Sequence, residues 1–147
     1  MTRVTPKYLI SKYKTNNPIE LADALGIKVI YEPLGDINGY FNTAFRQKFI
    51  HINSQLTENR QLFTAAHELG HAILHPKANT PFLREKTLFS INKFEIEANT
   101  FAVNLLITEE AIKEVKHLTL EQMANYFGIH KNLMALKFGK NFNYNKL

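Results

Sequence analysis

The stretch from Thr57 to His75 constrains this chain more than any other. Leu62, Ala65, Leu69 and Ile73 recur at helical spacing, and Phe63, Ala66, Gly70 and Leu74 form a second apolar stripe beside them. A helix that is apolar on two sides is buried. The pattern therefore predicts a central helix around which the rest of the fold must pack, ended by Pro76. Inside it lies His67-Glu68-Leu69-Gly70-His71, an H-E-x-x-H. Two histidines at i and i+4 sit one turn apart on one helix face. That spacing lets both imidazoles reach one Zn²⁺, with the intervening glutamate beside an open coordination position. Two histidines and a carboxylate among Phe, Ala, Leu and Ile need something polar to face, because an unpaired buried carboxylate is costly. A metal accounts for all three.

The flanking sequence supplies the other elements. Thr5-Pro6 and Asn17-Pro18 each read as an N-cap with proline at the first helical position, opening helices over 5–14 and 17–25. Residues 27–31 (IKVIY) read as a strand, and 39–45 with 49–53 as a hairpin turning at Arg46-Gln47-Lys48. After the central helix, 76–91 reads as irregular. Helices are then expected over 92–106, 108–116, 119–127 and 131–138. The fold class is α+β: about three strands, antiparallel at the hairpin, packed on the central helix, with a helical C-terminal half. We expect one domain over 1–138 and a mobile tail over 139–147.

A catalytic zinc needs a third protein ligand. The chain has no cysteine and six histidines, so thiolate sites, disulfides and a cysteine nucleophile are excluded and any metal site uses histidine and carboxylate. The candidates are His75, His51, His117, His130 and the carboxylates. His75 continues the i+4 series, but one straight helix cannot wrap a tetrahedral ion. It reads first as a histidine facing the helix C-terminal dipole, and second as support for the site. A glutamate from the next long helix suits better. Glu95 sits at capping-box spacing from Asn92, while Glu97 lines up with Phe94, Phe101 and Asn104. Glu97 is the preferred ligand and Glu95 its rival.

The net charge of +5 invites a nucleic-acid reading, yet no two Lys or Arg are adjacent and nothing resembles a basic arm. Residues 119–138 have the rhythm of helix-turn-helix, with Gly128 at the turn. Their second helix offers only Lys131, Asn132 and Lys137, and no arginine to read guanine. A packing module or partner-docking surface fits better than direct DNA binding. No segment has the length of a membrane span, and the first residues lack a signal peptide's apolar core. The expected setting is the cytoplasm, with a monomer as the default.

The motif FTAAHELGHAILHP, followed by EIEANTFAVNLL, resembles the ImmA/IrrE family of zinc-dependent metallopeptidases. That family pairs H-E-x-x-H with a glutamate in an E-A-N-x-F-A helix. The likeness covers roughly 17–138, including NPIELADALGIKVIYEPL and IHINSQLTENRQLFTAAHELGH. It departs at Thr108, where the family's proline after the second helix is expected. The resemblance implies a small zincin-like metallopeptidase domain, with His67, His71 and Glu97 as metal ligands and Glu68 as the catalytic acid/base. Zn²⁺ is the default ion, and a His₂Glu set also accepts Mn²⁺ or Fe²⁺. The resemblance further implies a protease of a phage or mobile genetic element that cuts a helix-turn-helix repressor.

In that reading Glu68 takes a proton from the attacking water and delivers it to the leaving nitrogen. A further donor for the oxyanion would come from Tyr40, Tyr126 or His75. Substrate could add as a strand to the hairpin edge, with Phe41, Phe45 and Phe49 either lining a groove or forming core. The competing readings are a DNA-binding regulatory module and a non-catalytic antirepressor that only sequesters its partner.

Overall fold

A computed structural model describes residues 4–77 and 93–139. Helices α1 (Pro6–Tyr13) and α2 (Pro18–Ala24) both carry proline in the first turn, behind Thr5 and Asn17 as caps. Three strands follow: β1 (Lys28–Glu32), β2 (Gly39–Ala44) and β3 (Gln47–Asn53). The long helix α3 (Glu58–Leu74) is capped by Thr57. Then come α4 (Lys93–Leu106), α5 (Glu109–Val115), α6 (Leu120–Phe127), α7 (Lys131–Ala135) and a final 3₁₀ turn (Leu136–Phe138). The architecture is α+β, as the hydrophobic periods predict. The expected irregular segment 76–91 and the tail 139–147 fall mostly outside the described residues.

The sheet is mixed, in the order β1-β3-β2. β2 and β3 form the antiparallel hairpin, while β1 lies parallel to β3 with Val29 opposite Ile50. The hairpin turns earlier than its sequence suggests. Its two turn residues are Phe45 and Arg46, both at positive φ (53° and 64°). Consecutive positive-φ residues suit the right-handed twist of a tight hairpin, and Asn-Gly normally supplies them. Phe45 is held there fully exposed.

Side chains alternate across a sheet, so Phe41 and Ile50 point one way and Asn42 and Phe49 the other. Phe41, Ile50 and Ile52 meet Ala65, Ala66 and Leu69 of α3 in the main core. The three hairpin phenylalanines therefore share no groove: Phe41 is core, Phe45 tips the turn, and Phe49 lies beside His51 on the outer face. Gly39 makes the close approach of β2 to α3 feasible. A Cβ there would come within 2.6 Å of the Thr64 methyl carbon and 2.5 Å of the His51 carbonyl oxygen.

Helix α4 packs along α3 with small residues at the contact. Ala98 and Ala102 are fully buried, and a Cβ on Gly70 would lie 3.1 Å from the Phe101 ring. The amide of Asn16 donates to the Leu105 carbonyl (3.3 Å), tying the N-terminal helices to the end of α4.

A second core gathers Val103, Ile107, Val115, Met123, Leu133, Met134 and Leu136. Its short helices begin on side-chain caps: Thr108 for α5, Thr119 for α6 in a full capping box with Gln122, and His130 for α7. Thr108, which replaces the expected proline, thus starts a helix by accepting from the Ala111 N–H (3.2 Å). The helix-turn-helix rhythm over 119–138 is real, but α7 is mostly buried. Asn132 through Ala135 face inward, and Lys137 is covered and ion-paired with Glu109 at 3.3 Å. Of the three polar residues this helix offers, only Lys131 stands exposed.

Candidate metal centre

Helix α3 brings His67 and His71 onto one face, as the i,i+4 spacing requires, with ring centroids 4.7 Å apart and planes nearly perpendicular. The carboxylate that meets them belongs to Glu95. Its Oε1 lies 2.6 Å from His71 Nε2, and its Oε2 lies 3.3 Å from His67 Nε2. One donor atom from each of the three residues falls within 4.8 Å of the others, and all three residues are buried. Glu68 is completely buried beside them, with Oε2 3.9 Å from His67 Nε2.

The acid placed against the two histidines is thus Glu95, the rival reading, and not the preferred Glu97. Glu97 does not reach the His67–His71 pair; its Oε2 lies 3.1 Å from His75 Nε2. The reason is which face α4 turns toward α3. Glu95, Ala98, Asn99 and Ala102 follow i, i+3, i+4, i+7 and are all buried, whereas Phe94, on the stripe that pointed to Glu97, is 43% exposed. The small residues of that first stripe were the available signal. Alanines let two helices approach closely enough for a short acid to cross the gap.

Asn99 was not singled out from the sequence. Its Oδ1 lies 2.6 Å from His67 Nδ1. An amide oxygen can only accept, so His67 Nδ1–H donates and Nε2 is left to face Glu95. His71 is held from behind as well, with Nδ1 3.1 Å from His75 Nδ1. His75 occupies the C-cap of α3, where its backbone N–H bonds the His71 carbonyl (2.7 Å). His75 thus stands both at the end of α3 and beside His71.

The remaining candidates lie elsewhere. Tyr40 stacks on His51 (centroids 4.2 Å, 9° between planes) on the sheet face opposite Phe41. Burial, and then the Glu32 carboxylate, hold its phenol above the ordinary tyrosine range. His51 is engaged by Glu32 (2.9 Å) and Asn42 (2.7 Å). Tyr126 is exposed and packs edge-on against Phe127. His130 caps α7 through Nδ1. The structure brings neither tyrosine to the three-residue cluster, and His75 is the one oxyanion candidate that adjoins it.

The donor set fits a divalent ion. Two imidazoles and one carboxylate, with no thiolate, are the ligand chemistry of open catalytic zinc sites, which leave a further position for water or substrate. Both histidines also have the outer hydrogen bonds that fix a ligand's tautomer.

Comparison with known proteins agrees. The profile of the IrrE N-terminal-like domain, the peptidase M78 family, matches residues 22–138. The protein named "Uncharacterized immunity region protein 2" of Bacillus phage phi105 is 48% identical over 132 residues, covering 88% of this chain and 84% of the phage protein. "Metallopeptidase ImmA" of Bacillus subtilis strain 168 is 35% identical over 127 residues, 82% of this chain and 74% of that protein. The fold, the buried His-His-Glu cluster and these matches together place the chain in the ImmA/IrrE family of metallopeptidases.

Proposed function

We propose that this protein is a zinc-dependent endopeptidase that cuts a helix-turn-helix repressor and so releases the genes of a phage or mobile element. The observation that carries the peptidase reading is the convergence of His67, His71 and Glu95 with Glu68 buried alongside. The repressor as substrate is supported by a relative's name, which places that phage protein in an immunity region.

His67 Nε2, His71 Nε2 and the Glu95 carboxylate would hold the ion. When bound, it supplies Lewis-acid polarisation of a carbonyl and activation of water. The Glu68 carboxylate accepts a proton as water oxygen attacks the peptide carbonyl carbon, and returns it to the amide nitrogen as the C–N bond breaks. Full burial keeps this carboxylate from dispersing its charge into bulk water. β2 is an outer strand among the three described, and an extended segment of substrate would add along it.

The test is incubation of the zinc-loaded protein with helix-turn-helix repressors, first any encoded beside its gene, with and without a chelator. Chelator-sensitive fragments support the proposal, whereas a stable complex with no fragments favours sequestration. Glu68→Gln keeps the shape of the side chain and removes its base. It should bind zinc as the wild type does while cleavage falls by about 10²–10⁴-fold, the usual range for a lost general base. Undiminished cleavage would sink the role given to Glu68.

A further inference from the structure

The two histidines of the cluster are backed differently. Behind His67 stands the neutral amide of Asn99. Behind His71 stands a chain of two more ionisable side chains. His71 Nδ1 meets His75 Nδ1 at 3.1 Å, and His75 Nε2 meets Glu97 Oε2 at 3.1 Å. His75 is 7% exposed and lies against the Phe94 ring at 4.4 Å between centroids. The Glu97 side chain is about a quarter exposed and has Lys93 Nζ 4.0 Å from its other oxygen. The chain therefore runs from the buried cluster to the protein surface.

Hydrogen-bond roles along it follow from the inventory of each group. An ionised carboxylate only accepts, so His75 Nε2–H donates to Glu97. A neutral imidazole carries one N–H, so His75 Nδ1 is left as an acceptor. The hydrogen between the two Nδ1 atoms then belongs to His71. Where Nε2 holds an ion in place of its 2.6 Å hydrogen bond to Glu95 Oε1, His71 is thereby the Nδ1–H tautomer and its Nε2 lone pair serves the ion.

We propose that His75 and Glu97 are positioning residues that act through His71: Glu97 fixes the tautomer of His75, and His75 fixes the tautomer and ring orientation of His71 as a metal donor. The inference rests on the reading of His71 as a ligand. It assigns Glu97 a task at the site although it is not a ligand, and gives the glutamate pair of α4 two separate jobs. Glu95 closes the cluster, and Glu97 aims one of its histidines.

The graded expectation distinguishes aiming from mere packing. Outer partners of ligating histidines are typically worth about 10–100-fold in metal affinity. His75→Ala and Glu97→Ala should each weaken Zn²⁺ binding, measured by competition with a chromophoric chelator, within about that range. Glu97→Gln retains an acceptor oxygen for His75 Nε2–H and should recover most of the loss. The same order should hold whether or not any peptide is cleaved, so the measurement separates this inference from the peptidase reading.

A second readout leaves the sequence unaltered. Nitrogen-15 NMR of histidine-labelled, zinc-loaded protein should show the His71 ring protonated at Nδ1 and ligating through Nε2. Wild-type zinc affinity in Glu97→Ala and His75→Ala, or an Nδ1-ligated His71, would overturn the inference while leaving the peptidase reading intact. A wild-type chain that binds no zinc would overturn both.

Discussion

The two cores of this protein solve different problems. The first, between the sheet, α3 and α4, encloses His67, Glu68, His71 and Glu95 at 3% exposure or less. Its two long helices carry small buried residues, Ala65, Ala66, Gly70 and Ala72 on one and Ala98 and Ala102 on the other, which let neighbouring backbones come close so that short polar side chains can bridge. The second core packs α4 to α7 with longer side chains, Met123, Leu133, Met134 and Leu136, and its short helices each start on a cap. Phe63 and Leu106 pack against both cores. Burying polar groups requires nearly exact spacing, whereas a core of long apolar chains mainly requires volume. The first core should thus be read out by metal binding, the second by stability.

Three substitutions probe that division. Glu95→Gln removes the carboxylate from the cluster but keeps its volume. Zinc affinity should fall by more than the ~100-fold upper range of a supporting residue, with the helical circular dichroism retained; an affinity near wild type would return the third position to another side chain. Met134→Ala, at a fully buried site of the second core, should cost about 2–5 kcal/mol in urea unfolding. Its zinc affinity should remain that of the wild type wherever the protein is folded, and a parallel loss of zinc would show that the two cores are one unit. Gly70→Ala is the mildest. Overpacking costs of about 1–3 kcal/mol are partly offset by the ~0.5–1 kcal/mol that alanine gains over glycine in a helix. The new methyl must push Phe101, 3.1 Å away, so a small net destabilisation should come with weakened zinc binding, unlike Met134→Ala. Unchanged zinc affinity would show that the spacing between α3 and α4 has slack.

Much of this was legible from residues alone. Proline after Thr5 and Asn17 and the two stripes of α3 are local signals, and the elements they predict form. His67, Glu68 and His71 share a helix, so their proximity is dictated by helical geometry. The third acid was not legible in the same way, because it depends on how α4 is rotated against α3, a tertiary choice. Phe94, Phe101 and Asn104 drew the expectation toward Glu97, and of these Phe101 is buried against Gly70 while Phe94 is not. Ala98 and Ala102, fully buried, mark the side of α4 that carries Glu95. The hairpin turn was misplaced for a related reason: Phe45 and Arg46 carry no propensity for positive φ, and the register of β2 on β3 imposes it. The parallel pairing of β1 with β3 is likewise non-local, because β2 intervenes in the chain.

The division of the cluster between α3 and α4 has a consequence for the order in which the protein matures. Chains emerge from the ribosome N-terminus first, so the three strands and both histidines are made before Glu95. A nascent chain that ends before α4 has two of the three donors and no third. Docking of α4, which Asn16 helps to hold through the Leu105 carbonyl, is what completes the set. Zinc uptake during synthesis would then report the moment α4 seats, and a hydrolytic centre would be assembled only once the chain that carries it is nearly folded.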